Sequence, residues 1–169
     1  MQAVMRPLHR PSKGFTLIEM VAVLAIVALL AAAAVPLQEV AVRRVREQAL
    51  REGLRTIRQA LDAHRAAVEA RRIAPGPDGT PWPAQLALLE QGIPVLGSDG
   101  RPAATGERLY LLRRVPRDPF AEPALPAADT WGLRSSDSPA DAPAAGRDVF
   151  DVYTRAPGMA LDGSRYAQW

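Results

Sequence analysis

KGFTLIEMVAVLAIVALLAAAAVP, residues 13–36, is the stretch from which the rest of the chain has to be understood. From Phe15 to Val35 there are 21 residues, and only Thr16 and Glu19 among them are polar. At about 1.5 Å of rise per residue, a helix over this run is roughly 30 Å long, one hydrocarbon thickness. A buried core helix of that length with no polar face would need a large domain around it, and a 169-residue chain has too little left to supply one. The run therefore predicts a transmembrane helix over residues 15–35. A secretory signal peptide is the competing reading, with a basic leader and AAAAV at residues 31–35 as its cleavage site. Two features oppose it: the run exceeds the usual core of about 7–15 residues, and such cores do not normally hold a carboxylate in their first turn.

That carboxylate is Glu19. A charge in hydrocarbon costs about 2–4 kcal/mol at the bilayer centre and less near its edge, so Glu19 calls for a partner unless it snorkels to the headgroups. A cut between Gly14 and Phe15 would create an α-amine one helical turn from Glu19. A neighbouring copy could then bring its amine to this carboxylate, gaining about 4 kcal/mol at 4 Å and an effective dielectric near 20, before desolvation.

On these residues, KGFTLIEMV resembles the prepilin peptidase motif of type IV pilins and type II secretion pseudopilins. The resemblance implies a leader over residues 1–14, cleavage between Gly14 and Phe15, N-methylation of Phe15, and Glu19 as the residue that sets subunit register in a helical filament. Pro36 falls where these families commonly carry a helix-perturbing proline, so it joins Glu19 as an assembly candidate. Its missing N–H and its effect on Val35 predict a kink or local melting there.

Beyond the run, Leu50, Leu54, Ile57, Leu61 and Val68 recur at helical spacing, with His64 in the gap. An amphipathic continuation over residues 36–72 follows, ending where IAPGPDGTPWP brings clustered prolines and glycines. The helix from Phe15 to Arg72 would measure about 85 Å. Gly53 inside it costs about 1 kcal/mol relative to alanine and predicts a close approach by another backbone. Arg43, Arg44, Arg46, Arg51, Arg55, Arg58 and Arg65, interleaved with Glu47, Glu52 and Asp62, read as a solvated face.

The net charge of +3 implies little affinity for nucleic acid, because Arg6, Arg10 and Lys13 belong to the leader and their removal leaves 18 basic against 18 acidic residues. Charge also leaves orientation open, since Arg43, Arg44 and Arg46 on one flank balance the leader on the other. Placing the leader in the cytoplasm rests on the resemblance. With no cysteine there is no disulfide, thiolate catalysis or cysteine metal site.

Residues 73–169 predict a small head with antiparallel strands. Ala84–Gly92 reads as a short helix; Arg108–Leu112, Thr130–Ser135 and Asp148–Thr154 read as strands, the last with Val149, Asp151 and Tyr153 on one face and Phe150 and Val152 on the other. Ser135–Gly146 has little that could pack and reads as a mobile hairpin connection. No nucleophile elbow, phosphate-cradling loop or distinctive acid pair appears, so no enzymatic activity is expected. The expected fold class is α+β: a long N-terminal helix, its first half membrane-spanning, packed on a small antiparallel head in the manner of pilins.

The resemblance extends to YLLRRVPRDPF at residues 110–120, a strand near Trp131, and FDVYTRAPGMALDGSRYAQW at residues 150–169, whose order is similar to the major, G-type pseudopilins. The absence of the cysteine pair usual in pilin heads favours a pseudopilin. Many such subunits bind calcium before their final residues, but the matching stretch here keeps only Asp162 as an acid. Ca²⁺ takes six to eight oxygens, so no cofactor is expected and Asp162 is the sole metal candidate. Met159–Trp169 is expected to be held by packing of Leu161, Tyr166 and Trp169.

The resemblance thus implies a structural subunit of a type II secretion pseudopilus. Its partners would be further copies in a helical filament, other pseudopilins, prepilin peptidase and an inner-membrane assembly platform, with the chain single-pass in the bacterial inner membrane and its head in the periplasm. The alternatives are a minor pilin or pseudopilin of a type IV pilus or competence system, and a membrane-anchored periplasmic binding module.

Overall fold

A computed structural model describes residues 14–169, without the side chains of residues 33–37. The expected leader therefore lies, Gly14 apart, outside the described residues. Helix α1, Leu17–Glu69, holds 53 residues and runs unbroken through Pro36, where a kink or local melting was expected. The chain divides between Ala41 and Val42 into two units.

In the first unit the helix is apolar on every side. Phe15, Leu17, Ile18, Leu24, Leu29 and Leu30 are all largely exposed, Phe15 to 77%. The described side chains of the apolar run end at Ala32, which at about 1.5 Å per residue gives roughly 24 Å. Among the described residues, no helix is long and apolar enough to cross a membrane.

In the second unit, the stripe on α1 is the spine of the core. Leu50, Leu54, Ile57, Leu61 and His64 are buried, and Val68 is half-buried beside buried Ala67. Each aliphatic side chain of that stripe contributes about 1.5–3 kcal/mol by leaving water. The helix ends at Glu69, three residues short of the expected Arg72. Arg71 takes φ +53°, letting its N–H reach the Val68 carbonyl at 2.8 Å and the Arg72 N–H reach Ala67 at 2.9 Å. This is a Schellman cap made without glycine.

Against the stripe pack two small sheets instead of one. Strands β1, Ile93–Pro94, and β2, Arg108–Leu109, form an antiparallel pair; β3, Trp131–Arg134, and β4, Asp151–Thr154, form the other. Only the first two residues of the expected 108–112 strand pair; Leu111 and Leu112 donate instead to the Leu89 carbonyl. The short helix α2, Leu88–Gln91, is half the length expected and ends at Gly92, whose φ of +82° an L residue resists. The β3–β4 register sets Trp131 opposite Thr154 and Leu133 opposite Val152. Val152 and Thr154 are buried while Asp151 and Tyr153 are half-buried, so alternation holds along β4. Val149 is buried too, because it lies before the strand and its N–H pairs with Pro83 instead.

Gly53 marks a close approach, but by a side chain. A Cβ there would stand 3.1 Å from the Trp131 indole, which is itself fully buried and donates its N–H to the Pro116 carbonyl at 2.7 Å.

Candidate processing and assembly site

Gly14 and Phe15 are exposed in irregular backbone just before α1, and among the described residues, chain neighbours aside, no heavy atom stands within 4 Å of where a Cβ on Gly14 would be. Such a peptide is open to a protease. Helix α1 then starts abruptly because Thr16 caps it: the Glu19 N–H donates to Thr16 Oγ1 at 3.2 Å and the Met20 N–H to the Thr16 carbonyl at 3.2 Å. Thr16-x-x-Glu19 is the spacing of a capping box, a signal in the sequence that its reading passed over. Glu19 thus occupies the third helical position, where the N-terminal dipole favours an acid. The local helix start accounts for where the carboxylate sits; among the described residues no side chain donates to it or neutralises it. Gly14, Phe15 and Glu19 lie within six residues of each other at the start of α1, whereas Pro36 lies about five turns on from Glu19, inside α1, with its side chain outside those described.

The other candidate, Asp162, belongs to the second unit and is already occupied. Its Oδ1 accepts the Ser164 N–H at 2.9 Å and hydroxyl at 2.6 Å, and its Oδ2 accepts Arg51 at 2.7 Å. The Ser164 bonds, aided by Arg51, hold its carboxyl below the usual range. No group of three or more acidic or histidine side chains is gathered for a metal among the described residues.

What fastens the C-terminal segment is a set of groups on α1 read from sequence as solvated. Glu47 is buried, 4% exposed; its Oε1 accepts the Leu161 N–H at 2.9 Å and the Tyr166 hydroxyl at 2.8 Å. Arg43 lies 3.4 Å from the same oxygen and donates to the Tyr166 hydroxyl and the Met159 carbonyl. Arg51 stacks 4.0 Å over the Trp169 ring. Arg58 pairs with Asp151 at 2.8 Å and donates to the Val152 and Trp169 carbonyls. Arg43, Arg51 and Arg58 thus bond the C-terminal segment while keeping part of each side chain in solvent, so the face is solvated and bonded at once. Glu47 could have been found in the sequence, since it stands three residues before Leu50 on the buried stripe. Tyr166 and Trp169 pack as expected, at 5.2 Å between ring centroids, but Leu161 is held by its backbone with its side chain 41% exposed.

Two further buried carboxylates close loops. Asp148 accepts the hydroxyls of Thr80, Ser135 and Ser136 and the Ser136 N–H, all within 2.7–2.8 Å. Burial works against its charge, but these four bonds outweigh burial and hold its pKa below the usual value. Ser135 is consequently buried, and the base of the 135–146 connection is anchored where a mobile one was expected. Asp118 accepts the Phe120 N–H at 2.8 Å and the Thr154 hydroxyl, while its own N–H donates to Thr130, so its role is a structural turn.

In comparisons with known proteins, neither the curated proteins nor the solved structures yielded a match. Residues 9–35 match the model of the prokaryotic N-terminal methylation motif, a segment typical of type IV pilins and pseudopilins.

Proposed function

We propose that the chain is made as a precursor, cut between Gly14 and Phe15 by a prepilin peptidase, N-methylated on Phe15, and polymerised as a structural subunit of a type II secretion pseudopilus. The observation that carries this reading is the start of α1: an accessible Gly14–Phe15 peptide, a Thr16-capped turn bearing Glu19, and a helix behind it that is apolar on all sides. Such a helix has no stable place in water and must be covered by lipid, by other copies, or by both in turn. The methylation motif over residues 9–35 supports the processing step. From Leu17 to Val35 α1 runs for 19 residues, about 28 Å, the length of a single span in the bacterial inner membrane, with the C-terminal unit in the periplasm. The lack of cysteines and the order of features in the C-terminal unit favour a pseudopilin over a pilin.

Glu19 then has a second task besides its place in the first turn. In the filament it meets the Phe15 amine of an adjacent copy, so register is set by a charge pair that no other stacking satisfies. Glu19→Leu separates this from anchoring: it raises the apolarity of the helix, so membrane insertion stays intact while filament assembly and secretion fail. Normal filaments from the Glu19→Leu chain would contradict the role given to Glu19.

A further inference from the structure

The turn at Met159–Leu161 is held by α1 at its two outer residues through their backbone, while Ala160 between them is buried in the core. Arg43 donates to the Met159 carbonyl and Glu47 accepts the Leu161 N–H at 2.9 Å. Both side chains are left in solvent, Met159 54% and Leu161 41% exposed. Beside them, Arg44 shares a shallow pocket of about 260 Å³ with Leu161 and Asp162. Arg46 is exposed on the same stretch of helix, as are Val42 and Val45. Arg44 and Arg46 enter no ion pair among the described residues, while the nearby carboxylates are committed, Glu47 to Arg43 and Asp162 to Arg51. Two residues apart, Arg44 and Arg46 point about 160° away from each other around the helix, one on either side of Arg43, so positive charge flanks the apolar turn that Arg43 holds. Glu39 is the single acid between Pro36 and Arg46, against three arginines.

We propose that this surface is a lipid-interface foot, in which Arg44 and Arg46 bind the phosphates of anionic phospholipids and Met159 and Leu161 enter the headgroup boundary. Guanidinium forks match phosphate oxygens, and long arginine stems lie along apolar surface while their heads stay wet. Apolar side chains flanked by basic ones are the pattern of surfaces that lie in a membrane interface. A free phosphate would satisfy the arginines but give Met159 and Leu161 nothing to contact, which is why lipid is the occupant. The inference rests on the anchoring of the chain by its apolar helix, since Arg44, the first of these arginines, follows Val35 by only nine residues, close to where headgroups begin. Anionic lipid would then hold basic residues at the flank where charge bias alone opposed them.

The absence of cysteine in the chain allows a single label. The full chain carrying Met159→Cys, labelled with an environment-sensitive fluorophore, is reconstituted into vesicles of phosphatidylcholine alone and into vesicles containing about one third phosphatidylglycerol. Headgroup-depth nitroxide lipids are expected to quench the label strongly only in the anionic vesicles, and Arg44→Glu with Arg46→Glu should weaken association of the foot about fivefold per guanidinium. Equal quenching in both vesicle types, or a response to inorganic phosphate in the neutral ones, overturns the proposal. So does a label shielded from aqueous quencher but never reached by nitroxide lipid, the sign of a second copy covering the surface. A companion label at Val27→Cys separates the two failures: if deep nitroxides quench it while Cys-labelled position 159 stays dark to lipid, the anchor stands and the foot falls; if they do not, both fall.

Discussion

Tyr166 donates its hydroxyl to Glu47 Oε1 at 2.8 Å, joining the last residues of the chain to a buried carboxylate on α1 that lies 119 residues earlier. The same oxygen takes the Leu161 N–H, and Arg43 lies against it. A carboxylate in the core with three donors is stable; the donors without it are not. Glu47→Ala is expected to cost about 2–4 kcal/mol, because Tyr166 and Leu161 lose their acceptor and Arg43 its counter-charge. Tyr166→Phe should cost about 1 kcal/mol, and the two together less than their sum, since they remove one shared bond. Chemical denaturation of the single and double variants measures this coupling; additive losses would show that the contact is incidental.

Gly53→Ala sets helix propensity against packing. Alanine gains about 1 kcal/mol in a helix interior, but its methyl would press on Trp131 at 3.1 Å. Trp131 cannot retreat without breaking its bond to the Pro116 carbonyl, and overpacking of this kind costs about 1–3 kcal/mol. A net loss of about 1 kcal/mol is expected, read as a lowered Tm; a raised Tm would mean that the indole has room.

Two titrations shape the pH dependence of the C-terminal unit. His64 is buried and donates Nδ1–H to the Pro81 carbonyl at 2.8 Å; burial pushes its pKa below the usual 6.5, only partly opposed by that bond. The unfolded chain therefore binds the proton first, and stability falls as pH drops through about 6.5 towards the lowered native value. His64→Gln should flatten this part of the profile. Asp148 acts lower: its contribution is present above about 3.8 and is lost as pH falls through its depressed native pKa. Unfolding midpoints from pH 8 to pH 2 test both, and a flat wild-type profile between pH 7 and pH 5 would contradict the His64 account.

The C-terminal segment is expected to be indifferent to calcium. Asp162 is satisfied by Ser164 and Arg51, Glu47 in the same pocket is engaged by Leu161, Tyr166 and Arg43, and no group of three or more acidic or histidine side chains gathers among the described residues. Millimolar Ca²⁺ or a chelator should leave the Tm unchanged within about 1 °C, because an ion stabilises only a state it binds. A rise of several degrees with Ca²⁺ would reveal ligands outside this arrangement.

The parts of this molecule legible in sequence were those with a local physical cause. The stripe from Leu50 to Leu61 has a helical period, so its burial followed; Asp151–Thr154 alternates, and it pairs with Trp131–Arg134, the other run that reads as a strand. Gly53 was legible as a close approach, though what approaches is an indole from across the fold. Residues whose role depends on a distant partner were misread. Glu47 and Arg43 resemble any exposed i, i+4 pair until Tyr166 arrives, and Asp148 looks like a loop acid until Thr80 and Ser135 converge on it. At the candidate site, Gly14, Phe15 and Glu19 could be read together because they stand within six consecutive residues. The capping role of Thr16 lies in the same Thr16-x-x-Glu19 spacing.

Mass spectrometry of the N-terminal peptide from native membranes tests the central claim most directly. Processing as proposed predicts a chain that starts at Phe15 with a methylated α-amine. A start near Val35 would make the apolar run an ordinary signal peptide, and an intact Met1 would make it a plain anchor; either result would contradict the assembly role given to Phe15 and Glu19.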